Sequence, residues 1–291
     1  MSNTVVYING KYYEKEDAKI SVFDHGFLYG DGVFESIKCF EGNVFALTEH
    51  IDRLFDSMKA INLEIPETPE KMVKLVRQTV QKTGLKDAYI RLVVSRGIGD
   101  LGMDPRKCPA SSVVIIAQEN KSMFGDLYDK GIRVLTVGVR RIAPDAIDVR
   151  AKTLNYLNNI LAKIQANVTG YDEALLLNHQ GNVCEGTGDN IFIIKKGRLF
   201  TPPPESGALQ GITRKFVLQI SEKLKITCEE KNLTLIDVYT SDEVFMTGTL
   251  ADIVPVIEVD GRIIGNRKPG LLTKSIIQQF AKIRSKHGVK I

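Results

Sequence analysis

Cysteine is scarce. Cys39, Cys108, Cys184 and Cys228 are the only four in 291 residues, and no two form a C-x-x-C pair. That spacing excludes the usual zinc and thiol-redox signatures. His25, His50, His179 and His287 are scattered and no H-E-x-x-H occurs, so no metal is assigned. No apolar run approaches the ~20 residues of a membrane-crossing helix. Like charges do not gather in blocks, and 39 basic against 35 acidic residues leave a net charge of +4. That balance gives no nucleic-acid footprint. No internal repeat or low-complexity tract is present. The opening Met1 to Thr4 shows no basic region leading into an apolar one, so no export leader is expected there. Together these absences point to a cytoplasmic enzyme or binding protein with reduced thiols, with neither membrane nor nucleic acid as partner.

What is present is ordinary globular material, 43% hydrophobic and 25% charged. The length suits one large domain or two of about 100–150 residues. Val5 to Ile8 and Lys11 to Tyr13 flank Asn9-Gly10, a hairpin signal. Similar turns sit at Gln180-Gly181, Lys196-Gly197 and Asp260-Gly261. Apolar spacing predicts a helix with Thr48 as N-cap and Ile51, Leu54, Phe55, Met58 and Ile61 on one face. A second starts at Thr68-Pro69 and stops at Gly84. Leu154, Leu157, Leu161, Ile164 and Val168 mark a third, Phe216 to Leu224 a fourth and Leu272 to Ile283 the last. Tyr89 to Ser95, Ser112 to Gln118 and Ile132 to Val139 read as buried strands. Hairpins mixed with helices indicate an α+β fold. The polar stretch Asn120 to Gly131 is the candidate linker, giving a small domain at 1–120, a connector at 121–131 and a larger domain at 132–291.

Three residue types in the second half suggest pyridoxal phosphate chemistry, which needs an amine, a hydroxyl for the ring oxygen and a carboxylate for the pyridine nitrogen. Lys152 precedes an apolar helical pattern and can point into a cleft if the helix starts near it. Tyr156 would then share its face, as a functional hydroxyl or as core padding. Glu185 ends a strand, where glutamate is uncommon, and is either a ring partner or an edge carboxylate. A phosphate needs donors at a helix N-terminus. Leu209 to Arg214 offers a glycine turn with Ile212 and Thr213, though Thr213 also suits an ordinary N-cap. Thr247-Gly248-Thr249-Leu250 offers another small-residue turn, and Arg53 a guanidinium.

These residues resemble the class IV (fold type IV) aminotransferases, which use pyridoxal 5'-phosphate. The resemblance runs through Phe27 to Glu35, Glu49 to Leu54, Lys152 to Leu157, Glu185 to Phe192, Gly211 to Arg214 and Asp242 to Thr249. It implies a two-domain α+β enzyme with a barrel-like mixed sheet in the larger, cofactor-binding domain, assembled as a homodimer or higher homo-oligomer. It implies Lys152 as the catalytic Schiff-base lysine, Glu185 on the pyridine nitrogen and Tyr156 on the ring oxygen. Arg53, Ile212, Thr213 and Thr249 would hold the phosphate, with Leu209 against the ring.

Within the family, D-amino-acid enzymes carry an Arg-x-His carboxylate trap where this chain has Leu101-Gly102-Met103. Tyr89-Ile90-Arg91 and the loop Gly99 to Pro105 instead resemble the branched-chain enzymes. The resemblance therefore implies ping-pong transfer from L-leucine, L-isoleucine or L-valine to 2-oxoglutarate. Tyr29, Phe34 and Tyr89 are candidates for the apolar wall and Arg91 for glutamate's distal carboxylate. Thr249 and Leu250 would lie at the α-carboxylate, with Leu250 larger than the small residue many branched-chain enzymes carry. D-amino-acid aminotransferase, aminodeoxychorismate lyase and a non-enzymatic cofactor-binding protein are the alternatives.

Overall fold

The computed structural model describes residues 3–291; Met1 and Ser2, part of the N-terminal stretch read for a leader, lie outside the described residues. The chain forms two compact units. Unit one holds the chain up to Lys121 with Ala151–Asn155 and Ile283–Ile291; unit two holds Ser122–Arg150 and Tyr156–Lys282.

Unit one opens with β1 (Val5–Ile8) and β2 (Lys11–Glu14), paired across Asn9-Gly10, both at positive φ as the twist of a tight hairpin requires. There follow α1 (His25–Tyr29), β3 (Gly32–Phe40), β4 (Asn43–Phe45), α2 (Leu47–Ala60), α3 (Pro69–Thr83), β5 (Ala88–Ser95) and β6 (Ser112–Glu119). Its seven-stranded sheet runs in the order last strand (Gly288–Lys290), β4, β3, β5, β6, β1, β2, all antiparallel. Strand alternation sorts the faces. Val33, Ile37 and Cys39 of β3 and Ile90, Leu92 and Val94 of β5 join Ile51, Leu54 and Met58 of α2 and Met72, Val76 and Val80 of α3 in one core. Phe34, Ser36, Lys38, Tyr89 and Arg91 belong to the opposite face. Thr68 caps α3, and Gly84 ends it at φ 70°. Thr48 is not the cap of α2: the helix starts at Leu47 from Ala46, which enters at φ 48° without a side-chain cap.

Unit two contains α4 (Leu127–Lys130), β7 (Ile132–Arg140), α5 (Leu157–Val168), β8 (Glu173–Leu177), β9 (Val183–Glu185), β10 (Asn190–Lys195), β11 (Arg198–Thr201), α6 (Ile212–Lys223), β12 (Cys228–Glu230), α7 (Leu235–Tyr239), β13 (Glu243–Gly248), β14 (Asp252–Val259), β15 (Arg262–Ile263) and α8 (Leu271–Arg284). β10, β13, β14, β7, β8 and β9 form a closed six-stranded barrel, because β9 pairs back onto β10 through Glu185 and Asn190. β7 is parallel to both β14 and β8; the other barrel pairs are antiparallel.

Two expectations change here. The stretch expected as a connector carries α4 and tucks Phe124 into the core of unit two. The apolar stripe of the third helix faces outward: Leu157, Leu161, Ile164 and Val168 are exposed, while Asn159, Ala162 and Ala166 are buried. Ala162 and Ala166 pack with Val137, Ala174 and Leu176, and their small side chains let α5 lie close on β7 and β8. Periodicity located the helix; side-chain size chose its buried face. Among the described residues no helix is long and apolar enough to cross a membrane.

Candidate active site

Lys152 lies in unit one and not in a helix. The segment Ala151–Asn155 runs along the free edge of β3. Phe34 N donates to Lys152 O at 3.0 Å, Leu154 N donates to Gly32 O at 2.9 Å, and Lys152 N donates to Ser57 Oγ of α2 at 3.0 Å. Gly32 permits the approach, since a Cβ there would meet Leu154 Cδ1 at 2.7 Å and Val94 O at 2.6 Å. Asn155 then bonds Thr153 Oγ1 and Gly30 O, each at 3.2 Å. These side-chain bonds give the backbone an alternative to helix. The expected helix start at Lys152, and the shared helical face with Tyr156, are therefore corrected. Tyr156 stands at the N-cap of α5, in unit two. Lys152 is half-buried.

Lys152 Nζ sits 4.4 Å from the centroid of the Phe34 ring. Arg91 Cζ lies 4.5 Å from the same ring, and Arg91 Nη2 donates to Tyr89 OH at 2.9 Å. Tyr89 OH also shares a 2.9 Å hydrogen bond with Ser36 Oγ. One sheet face of unit one thus gathers an amine, an aromatic wall and a guanidinium. Tyr29 is partly exposed and its hydroxyl accepts from Gly102 N at 3.0 Å, tying α1 to the loop Gly99 to Pro105.

Behind that face lies a buried charge cluster. Arg53 Nε and Nη2 each donate to Glu35 at 2.7 Å, and His50 Nδ1 bonds Glu35 Oε2 at 2.7 Å. Burial pushes the Glu35 carboxyl up, but the Arg53 charge and the hydrogen bonds from Arg53 and His50 outweigh it and hold the group down at about 2. Burial drives His50 the other way, below the ordinary histidine range, only partly countered by Glu35.

In unit two, Glu185 is 5% exposed. Arg141 Nη2 contacts its Oε1 at 2.9 Å; Leu209 N donates to Oε2 at 2.9 Å and Asn190 Nδ2 at 3.2 Å. Arg141 is itself held by Asn159 Oδ1 at 3.0 Å and Gly207 O at 3.2 Å. A carboxylate has about four lone-pair directions. Beyond these three donors Glu185 can accept one more, which is what a protonated ring nitrogen would need.

Asn190 also donates to Leu209 O at 2.8 Å, so one amide joins the barrel closure, Glu185 and the glycine turn. That turn leads into α6 through Gly211, which has no side chain to cap the helix. The first N–H groups of a helix have no partner within it, so those of Ile212 and Thr213 suit a phosphate. The tight approach is fixed: a Cβ on Gly211 would meet Asn190 Oδ1 at 2.1 Å. Gly211, not Thr213, is the N-cap; Thr213 is buried. Thr249 and Leu250 form the turn between β13 and β14, and the buried Thr247 Oγ1, paired in register with Asn190, has no hydrogen-bond partner among the described residues. The donors, the carboxylate and the orphan hydroxyl fit pyridoxal phosphate.

Arg141, Asn190, Glu35 and His50 were not singled out from the sequence as site residues. The one available signal was a charged residue just beyond an apolar strand, at Arg141 after β7, and a polar residue opening one, at Asn190. Neither pattern says what the side chain meets.

A family model described as "Amino-transferase class IV" matches residues 32–259. The chain is 52% identical over 286 residues to a putative branched-chain-amino-acid aminotransferase of Methanocaldococcus jannaschii, covering 98% of each. The crystal structure of the Escherichia coli branched-chain amino acid aminotransferase superposes with a TM-score of 0.92 at 34% identity, covering 98% of this chain and 96% of that one. The branched-chain aminotransferase of the thermophilic archaeon Thermoproteus uzoniensis, solved with norvaline, gives a TM-score of 0.91 at 38% identity, covering 97% and 95%.

Proposed function

We propose that this chain, which belongs to the class IV aminotransferases, moves the amino group of L-leucine, L-isoleucine or L-valine to 2-oxoglutarate using pyridoxal phosphate. The observation that carries the substrate reading is the Phe34 ring with Lys152 Nζ at 4.4 Å and Arg91 at 4.5 Å. It sets an apolar wall and a cation for a second carboxylate beside one amine, as a site taking both leucine and glutamate requires.

When bound, pyridoxal phosphate supplies an aldehyde that takes the amino group and a ring that withdraws electrons from the substrate α-carbon. In each half-reaction Lys152 Nζ would act as general base and then acid, moving a proton between the substrate α-carbon and the C4′ carbon of the cofactor. Glu185, braced by Arg141, Asn190 and the Leu209 amide, accepts the hydrogen bond of the pyridine nitrogen. Tyr156 meets the ring oxygen and Leu209 lies against the ring. Arg53, the Ile212 and Thr213 amides and Thr249 hold the phosphate. Arg91 orients the distal carboxylate of glutamate against Tyr89, while Phe34, Tyr29 and Tyr89 shelter a branched side chain from water. Thr249 and Leu250 offer backbone N–H groups to the α-carboxylate.

A homo-oligomer fits the exposed apolar side chains of α5, and a reducing, cytoplasmic setting fits the four free cysteines. The test is a panel of L- and D-amino acids with 2-oxoglutarate, following glutamate formation. Turnover of L-leucine, L-isoleucine and L-valine is expected. Preference for D-amino acids, or pyruvate release from aminodeoxychorismate without transamination, would overturn the assignment.

A further inference from the structure

Glu35 lies on the helix-facing side of β3, among Val33, Ile37 and Leu54, and is fully buried. A carboxylate there is costly unless it is paired and hydrogen-bonded. A buried ion pair is often no more stabilising than well-packed apolar groups in its place. Stability is therefore a weak reason for this cluster, and geometry is a stronger one. Both Glu35 oxygens are engaged by Arg53, through Nε and Nη2 at 2.7 Å each, which fixes the plane of the guanidinium. His50, one turn earlier on α2, bonds Glu35 Oε2 at 2.7 Å, the same oxygen that receives Arg53 Nη2.

A second observation ties this cluster to Lys152. Ser57 follows Arg53 by four residues, so the two share a face of α2. Ser57 Oγ receives the Lys152 N–H at 3.0 Å. The helix that carries Arg53 thus also carries the hydroxyl that holds the main chain of the reactive lysine.

We propose that Glu35 is a positioning residue. It presents the Arg53 guanidinium to the cofactor's phosphate in a fixed orientation, with His50 locking the carboxylate. This rests on the reading of Arg53 as a phosphate ligand. An untethered arginine would lose rotamer freedom on meeting an anion. One clamped by two hydrogen bonds meets it already ordered, and affinity gains accordingly.

The test compares binding of pyridoxal phosphate and of pyridoxal, which lacks the phosphate, to the apoenzyme by absorbance titration. Glu35→Gln keeps the shape but replaces one acceptor oxygen with a donor. It is expected to weaken pyridoxal phosphate on the order of ten- to a hundredfold while leaving pyridoxal within about twofold. Arg53→Gln is expected to do the same. If Glu35→Gln weakens both compounds equally, or neither, while Arg53→Gln remains phosphate-selective, Glu35 is only structural and the inference falls alone. If Arg53→Gln shows no phosphate selectivity, the reading of Arg53 falls and takes this inference with it. Should Glu35→Gln not fold, Glu35→Asp, whose shorter stem draws the carboxylate back from Arg53, is expected to show the same selective loss, and an equal loss of both compounds would refute it.

Discussion

Gly211→Ala is a single added methyl with a calculable consequence. The backbone at Gly211 has φ −64° and ψ 138°, which alanine adopts freely. On backbone grounds alone the change is expected to stabilise by about 0.4–1 kcal/mol, by restricting the unfolded chain. The obstacle is Asn190 Oδ1, 2.1 Å from where the Cβ would stand. The amide must move, and it then loses its 2.8 Å bond to Leu209 O and its 3.2 Å bond to Glu185 Oε2. The neutral bond contributes about 1 kcal/mol and the longer charged one about 1.5 kcal/mol. Setting the backbone gain against these losses leaves a net destabilisation of about 2 kcal/mol. Urea unfolding of the apoenzyme measures it. The decisive control is the same substitution in an Asn190→Ala background. There the obstacle is gone, and Gly211→Ala is expected to be slightly stabilising, giving a coupling of about 2.5 kcal/mol between the two sites. A coupling below about 0.5 kcal/mol would refute the reasoning, since it would mean the amide is not what excludes a side chain from this turn.

Other expectations follow from the same geometry. Arg141→Met leaves Glu185 buried with two neutral donors, so unfolding free energy is expected to fall by about 3 kcal/mol; a change under about 1 kcal/mol would count against the pairing. Arg91→Gln is expected to weaken glutamate and 2-oxoglutarate use far more than leucine use, measured as kcat/KM for each; equal losses would remove Arg91 from the distal-carboxylate role. His50 titrates below its ordinary range in the folded protein because burial disfavours its charge. The unfolded chain therefore takes up the proton first, and stability is present above about pH 6.5 and declines as pH falls below it. Urea midpoints at pH 7.5 and 5.0 are expected to drop more in the parent protein than in His50→Gln. A parent protein that gains stability at pH 5.0 relative to the variant would show that the imidazole is charged in the fold.

The hairpins were legible because Asn9-Gly10, Lys196-Gly197 and Asp260-Gly261 carry local chemistry that a tight turn needs, and each adopts positive φ. The α3 boundaries were legible for the same kind of reason. The start of the third helix was not. Nothing in the order of residues says that the peptide groups of Lys152 and Leu154 pair with the open start of β3, more than a hundred positions earlier. The outward stripe on α5 misled because burial there follows the small side chains that fit against β7 and β8. At the site, Lys152, Glu185 and the Gly211 turn were readable as residue types suited to a task. Arg141 and Asn190 were not, since their meaning lies in partners that only the closed barrel supplies.

That closure carries a consequence for how the protein comes together. The strand pair that seals the cylinder, Glu185 with Asn190, joins the two residues whose side chains are proposed above to receive the ring nitrogen. On that proposal, a barrel with this pair open offers the ring nitrogen no cradle, so full capture of the vitamin requires the seam to be shut. Loading the coenzyme is therefore expected to act as a latch on that seam and to slow its unravelling.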